Sequence, residues 1–182
     1  MAGLGVFIDG AYLDKVCQQD FGGCCVDFTK LISELTVEIP LFRAYYCDAL
    51  PYQSNPPSDG ERQRVSSKQK FFDYLQRLPR FEVRLGQCVR REGADGIVQY
   101  TQKGVDVHLA VDIVRLALKN RVSDIALVTA DADLIPAVQV ARDEGVIVHL
   151  YHGTTCPLSL LESCDEHTRL DTLFMRRVER QR

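Results

Sequence analysis

Four aspartates in this chain stand where an acidic centre could be assembled. Asp9 directly follows the apolar run Leu4–Ile8. Asp131 follows a second apolar run, Ile125–Thr129, by two residues, and Asp133 lies two further on. Asp106 falls in the first turn of a periodic segment that opens after Lys103-Gly104. Carboxylates brought together repel one another, and bare clustering raises their pKa values. A hard divalent cation such as Mg²⁺ or Mn²⁺ resolves that repulsion, because it takes oxygen ligands and keeps several waters. An ion held in this way can activate water and polarise a phosphate oxygen. Each aspartate also has a plain structural use. Asp9-Gly10 reads as a turn, Asp131 or Asp133 as a helix cap, and Asp106 as a first-turn acid facing the helix dipole. Their coincidence is what points to chemistry. Asp112 lies six residues beyond Asp106, about 120° around the helix, and is expected to be structural or supporting.

The elements that must position these residues alternate between strand and helix. Leu4–Ile8 reads as a buried strand, Ala11–Gln19 as a short helix, and Asp27 as the N-cap of a helix running to Leu35. Pro40–Cys47 reads as a second strand, and Pro51–Gly60 as a loop by composition. Glu61–Leu78 is a polar helix with Val65, Phe71, Phe72, Leu75 and Leu78 on roughly one face. Arg80–Cys88 alternates apolar and charged residues as a half-wet strand does. A turn is expected over Arg91–Gly96 and a short extra strand over Ile97–Thr101. Val105–Asn120 is the clearest helix, with apolar residues at spacings of three and four. Ile125–Thr129 is a strand, Leu134–Glu144 a helix with Pro136 in its first turn, and Val146–Tyr151 a further strand. The stretch from Pro157 carries a short helix and ends basic. This alternation predicts an α/β fold, a single Rossmann-like domain with a mostly parallel sheet and helices on both faces. Ligands of such sheets bind beyond the C-terminal strand ends, where Asp9 and Asp131 fall.

Composition fits that class. With 182 residues, 46% hydrophobic and 26% charged, the chain can bury a full core, and disordered or fibrous classes are excluded. No apolar run approaches the length of a membrane span, and the first residues lack a basic signal-peptide region, so a cytoplasmic protein without a membrane partner is expected. The net charge of −3 hides an asymmetry: Arg62–Arg91 holds nine basic and two acidic residues, a net of +7 that leaves −10 for the remainder. That stretch could draw in a polyanion, since lysines and arginines displace its counterions. It contains Arg62, Arg64 and Lys68; with Lys103 beside Asp106, these are the candidate phosphate contacts. Tyr52 and Tyr100 lie near expected loops and could stack on bases. The seven cysteines are odd in number and lack Cys-x-x-Cys spacing, which favours reduced, mostly buried thiols. His149, His152, Cys156, Cys164 and His167 lie within 19 residues, but their spacings match no familiar zinc finger.

Three segments carry a resemblance. Phe7-Ile8-Asp9-Gly10-Ala11, then Gln102-Lys103-Gly104-Val105-Asp106-Val107, then the run Leu127–Val138 around Asp131 and Asp133, resemble the signature segments of the NYN domain. That domain belongs to the PIN-like nucleases and includes the LabA-like bacterial proteins. The resemblance spans Gly3 to Tyr151 and implies a PIN-type domain over 1–155, with a helical, basic tail over 156–182 packed on or extending it. It further implies a metal-dependent ribonuclease. Asp9, Asp106, Asp131 and Asp133 would be its catalytic and metal-binding acids, Mg²⁺ or Mn²⁺ its cofactor and single-stranded RNA its partner; a homodimer is a further possibility. Two positions depart from the pattern. Tyr12 stands where many members have asparagine. Thr129-Ala130-Asp131-Ala132-Asp133-Leu134 stands where many have Ser-Gly-Asp-Ser-Asp-Phe. These losses of polar helpers favour the alternative reading, an RNA-binding or regulatory module with a weak site; the four retained acids oppose it. A small-molecule phosphohydrolase of the aspartyl-phosphate type would want Asp-x-Asp after the first strand, which Asp9-Gly10-Ala11 lacks. Serine or cysteine nucleophile chemistry and dinucleotide binding have no motif here.

Overall fold

The computed structural model describes residues 3–92 and 97–180. Seven strands form one sheet: β1 (Gly3–Asp9), β2 (Leu41–Ala49), β3 (Phe81–Glu92), β4 (Val98–Lys103), β5 (Val122–Val128), β6 (Ile147–His152) and β7 (Glu166–Arg169). Their spatial order is β4-β3-β2-β1-β5-β6-β7. Every neighbouring pair is parallel except β3 and β4, which form an antiparallel hairpin at one edge. The chain builds outward from β1 to β4, then crosses back to lay β5 on the other side of β1. The reversal opens a crevice at the C-terminal ends of β1 and β5, the place where open α/β sheets bind ligands.

Helices cover both faces, as the alternation requires. On one face lie α4 (Val105–Leu118), α5 (Ile135–Asp143) and α6 (Leu158–Ser163); on the other lie α1 (Gly10–Asp20), α2 (Phe28–Leu35), α3 (Asp59–Arg77) and α7 (Thr172–Val178). Successive residues of β1 serve opposite cores: Phe7 packs with Leu109 and Ile113 of α4, while Val6 and Ile8 pack with Leu13 and Val16 of α1. A strand buried on both sides must be apolar at every position, which is why Leu4–Ile8 reads as an unbroken run. No helix among the described residues is long and apolar enough to cross a membrane.

Several boundaries differ from the sequence reading, each for a local reason. Helix α3 starts at Asp59 rather than Glu61, because Ser58 and Glu61 form a reciprocal capping box. Strand β3 runs on to Glu92, so Arg91 and Glu92 belong to the hairpin rather than to a turn; the rest of that expected turn, 93–96, lies outside the described residues. Strand β2 continues past Cys47 to Ala49. The stretch after Pro157 holds more than a short helix. Its β7 pairs with β6, and α7 buries Phe174, Met175 and Val178 beside α2.

Candidate active site

The site begins with strand ends. Asp9 closes β1, and its side chain caps α1 by accepting from the Tyr12 N–H at 3.0 Å. The helix can start there because residue 10 is glycine: a Cβ would stand 2.4 Å from the ring of buried Tyr46. Across the crevice Ile8 pairs with Val128, so fully buried Thr129 arrives beside Asp9. Thr129 Oγ1 lies 3.4 Å from Asp9 Oδ2 and accepts from the Asp131 N–H at 3.2 Å. Asp131 in turn caps a 3₁₀ turn over Ala132–Leu134, accepting from the Asp133 N–H at 2.9 Å. Asp106 is brought in from β4. Gly104 adopts a left-handed φ of 83°, a conformation glycine reaches without a Cβ penalty, and starts α4 so that Asp106 falls in its first turn.

Electrostatics record the convergence of these groups. The Asp9 carboxyl is pushed up to about 6, first by burial and then by Asp106, Asp48 and Asp131; the Tyr12 N–H acts in the opposite direction. Asp106 is also raised, first by burial and then by Asp131 and Asp133. Asp133 itself is exposed at the mouth. The structure thus brings the four expected aspartates to one rim. Among the described residues, however, no three His, Cys, Asp or Glu side chains already stand in a set that could hold a metal ion. The acids are near enough to perturb one another and remain open as a set. Their all-oxygen chemistry, and the raised pKa values of Asp9 and Asp106, suit a divalent cation.

A fifth carboxylate belongs to this neighbourhood. Asp48 follows Cys47, the residue paired with Asp9, and its side chain is 2% exposed. It accepts from its neighbour's Ala49 N–H at 2.7 Å and from Gln102 Nε2 of β4 at 2.9 Å. Lys68 Nζ sits 2.7 Å from its other oxygen and 3.1 Å from Asp14. The signal was available in the sequence: an acid at the end of an apolar run, as with Asp9. Placing the end of β2 at Cys47 concealed it.

The expected phosphate contacts divide. Lys68 is bound within the fold to Asp48 and Asp14, and Arg62 pairs with Asp59 and the Pro57 carbonyl. Arg64 is exposed on α3, and Lys103 is exposed where β4 meets α4. Elsewhere in the basic stretch, Arg84 holds Asp112 and Glu82, Arg80 bonds the Leu41 carbonyl, and Arg90 pairs with Glu92. The free positive face is therefore smaller than +7 implies. Asp112 is structural, buried between Arg84 at 2.8 Å and Arg115 at 2.7 Å. Tyr12 uses its hydroxyl to accept the Gly153 N–H at 2.7 Å, tying α1 to the loop after β6. Among the described residues the His/Cys set forms no metal-holding group: His149 bonds Asp124 and Glu166, His152 bonds the Gly153 carbonyl with its ring 5.7 Å from that of His167, and all seven cysteines are free, with Cys25 exposed.

Comparison with known proteins adds three findings. A family model described as NYN domain matches residues 3–171, nearly the whole chain. An uncharacterized protein of Sinorhizobium fredii (strain NBRC 101917 / NGR234), y4oD, is 40% identical over 52 residues, which cover 29% of this chain and 24% of that protein. The match thus spans about a quarter of the length of that relative. The crystal structure of VPA0982, a protein of unknown function from Vibrio parahaemolyticus RIMD 2210633, is similar with a TM-score of 0.68 at 18% identity. That similarity covers 97% of this chain and 95% of the other, and concerns the fold alone.

Proposed function

Because the chain belongs to the NYN domain family, whose membership in the PIN-like nuclease superfamily sets the class of chemistry, we propose that it is a metal-dependent ribonuclease of the cytoplasm acting on single-stranded RNA. The observation that carries this reading is the mutual crowding of Asp9, Asp106 and Asp131 at the β1–β5 crevice, with Asp9 raised to about 6. A crevice that holds carboxylates at such cost to their ionisation is prepared for a cation. Asp9, Asp106 and Asp131 would hold it, with Asp133 as a further ligand or as the group that orients water. When bound, Mg²⁺ or Mn²⁺ supplies charge to the scissile phosphate and acidifies the attacking water. Thr129 fixes the spacing between Asp9 and Asp131 through its hydroxyl. Lys103, at the exposed start of α4, is placed to meet a neighbouring phosphate. Hydrolysis forms one bond from water oxygen to phosphorus and breaks the bond to the departing ribose oxygen, which takes a proton as it leaves.

One observation favours a second reading, an RNA-binding or regulatory module with a weak site. Tyr12 spends its hydroxyl on Gly153 and offers Asp9 no side-chain donor. Cleavage of end-labelled single-stranded RNA and DNA, with Mg²⁺, Mn²⁺ or chelator and beside the Asp131→Asn protein, separates the two. The nuclease reading expects metal-dependent RNA cleavage that the substitution abolishes while the protein stays folded, since asparagine still caps the turn. RNA binding without turnover by folded wild-type protein would leave the binding module in its place.

A further inference from the structure

Tyr100 of the β3–β4 hairpin and Tyr52 of the loop before α3 form an aromatic pair outside both cores. The rings of Tyr52 and Tyr100 lie 5.5 Å apart at 44°. Neither residue belongs to either hydrophobic core nor packs against one, and Tyr100 is 60% exposed. A large exposed aromatic on an edge strand is a liability for association unless it has a use. Its position relative to the acidic rim is fixed by register. Tyr100 and Gln102 are two apart on β4 and so share a face of the hairpin. Gln102 Nε2 donates to Asp48, and Asp48 perturbs Asp9. Tyr100 therefore stands about 7 Å along the strand from the residue that touches the site.

The loop that carries Tyr52 is held in place before any ligand arrives. Tyr52 belongs to the loop between β2 and α3, and that loop is fastened to the helix. Ser54 Oγ donates to Glu61 Oε2 at 2.7 Å, and the Ser58 N–H donates to the same oxygen at 2.7 Å. These hydrogen bonds hold the Glu61 carboxyl down at about 2. Arg90 lies directly opposite Tyr100 in the hairpin register, on the same face. An exposed aromatic face and a nearby acidic crevice together match a single strand whose bases can splay away from its backbone; Arg90, on the same face, is already paired with Glu92.

We propose that Tyr52 and Tyr100 form a stacking platform for one nucleobase of an RNA strand whose backbone enters the Asp9–Asp131 crevice, with Tyr100 supplying the contact face and Tyr52 bracing it. This rests on the nucleic-acid reading above. The test is fluorescence anisotropy with the full chain and Ca²⁺, using labelled single-stranded adenosine decamers and an abasic strand of the same length. Wild-type protein is expected to prefer the base-bearing strand. Tyr100→Ala should weaken that binding about 5- to 100-fold and leave the abasic strand unaffected, while Tyr100→Phe should bind as wild type does. Because Tyr100 is exposed, the substitution leaves the fold intact, which circular dichroism checks. Equal loss on both strands, or no loss on either, overturns the platform while leaving the nucleic-acid reading standing. Wild-type protein that binds neither strand overturns both.

Discussion

Lys68 Nζ lies 2.7 Å from Asp48 Oδ2, and that carboxylate is almost wholly withdrawn from water. The pair sits against Phe71 and Phe72, each ring centroid 5.5 Å from the ammonium. A lysine that looks from the sequence like a ligand for phosphate is thus an internal counter-ion. Lys68→Met should leave a buried charge without its partner, at a cost of about 3 kcal/mol. Adding Asp48→Asn should recover much of the loss. Urea unfolding of the two single variants and the double variant measures the coupling. Additive effects, with no recovery, would show that the contact is not what holds Asp48.

Asp9 makes stability depend on pH in a direction opposite to that of most aspartates. Its folded-state value of about 6 lies above the ordinary 3.8, so between those limits the native protein binds more protons than the unfolded chain. Stability contributed by the protonated form is present below pH 4 and is lost as pH rises through 6. The effect is on the order of 2 kcal/mol once solvent screening is allowed for. Asp9→Asn should abolish this dependence and leave the cation-free protein more stable than wild type at pH 7, since asparagine still caps α1. Denaturant midpoints at pH 4.5 and pH 7 in chelator test this. Parallel curves for wild type and variant would contradict it. Adding Mg²⁺ or Mn²⁺ at pH 7 should raise the wild-type melting temperature and have little effect on the variant.

Tyr12 connects the site to the loop after β6 through one hydrogen bond, from the Gly153 N–H to its hydroxyl. Asp9, by contrast, is capped by the main-chain N–H of residue 12 and not by the tyrosine side chain. Tyr12→Phe leaves a buried donor unpaired and should cost about 1–2 kcal/mol. It should not reduce cleavage per folded molecule. Tyr12→Asn also removes the ring and should cost more. Thermal melts beside a turnover assay separate the two effects, and a large fall in turnover with Tyr12→Phe would assign the hydroxyl a role in the chemistry.

The central strands and the long helices were legible because burial on two faces, or one, leaves a period in the sequence. Phe7 and Ile8 show the first pattern, and Val105, Leu109 and Ile113 the second. Asp9, Asp106, Asp131 and Asp133 were legible because strand ends and a glycine-led helix start announce themselves locally. Asp48 offered the same local signal but was hidden by ending β2 two residues early, and its pairing with Lys68, from a helix twenty residues away, leaves no mark in the sequence. Strand β7 was equally hidden. Glu166–Arg169 is polar and exposed, and becomes a strand through the ladder offered by β6 rather than through its own composition. The basic stretch misled in the other direction, because net charge counts Arg84 although Asp112 and Glu82 have already claimed it.

That distinction between engaged and free cations gives the last prediction. Lys103 is exposed beside Asp106, and among the described residues its ammonium has no ion-pair partner. Arg62 is exposed too, but is held by Asp59 and the Pro57 carbonyl. A cation that meets a phosphate releases about one counterion, so each such contact steepens the salt dependence of binding by a slope of about one. Lys103→Ala should therefore weaken RNA binding at low salt uniformly across sequences and reduce the slope of log K against log salt by about one. Arg62→Ala should change the slope little. Binding titrations from about 50 to 200 mM salt distinguish the two. A loss of slope for Arg62→Ala but not for Lys103→Ala would mean that the strand runs along α3 rather than across the start of α4.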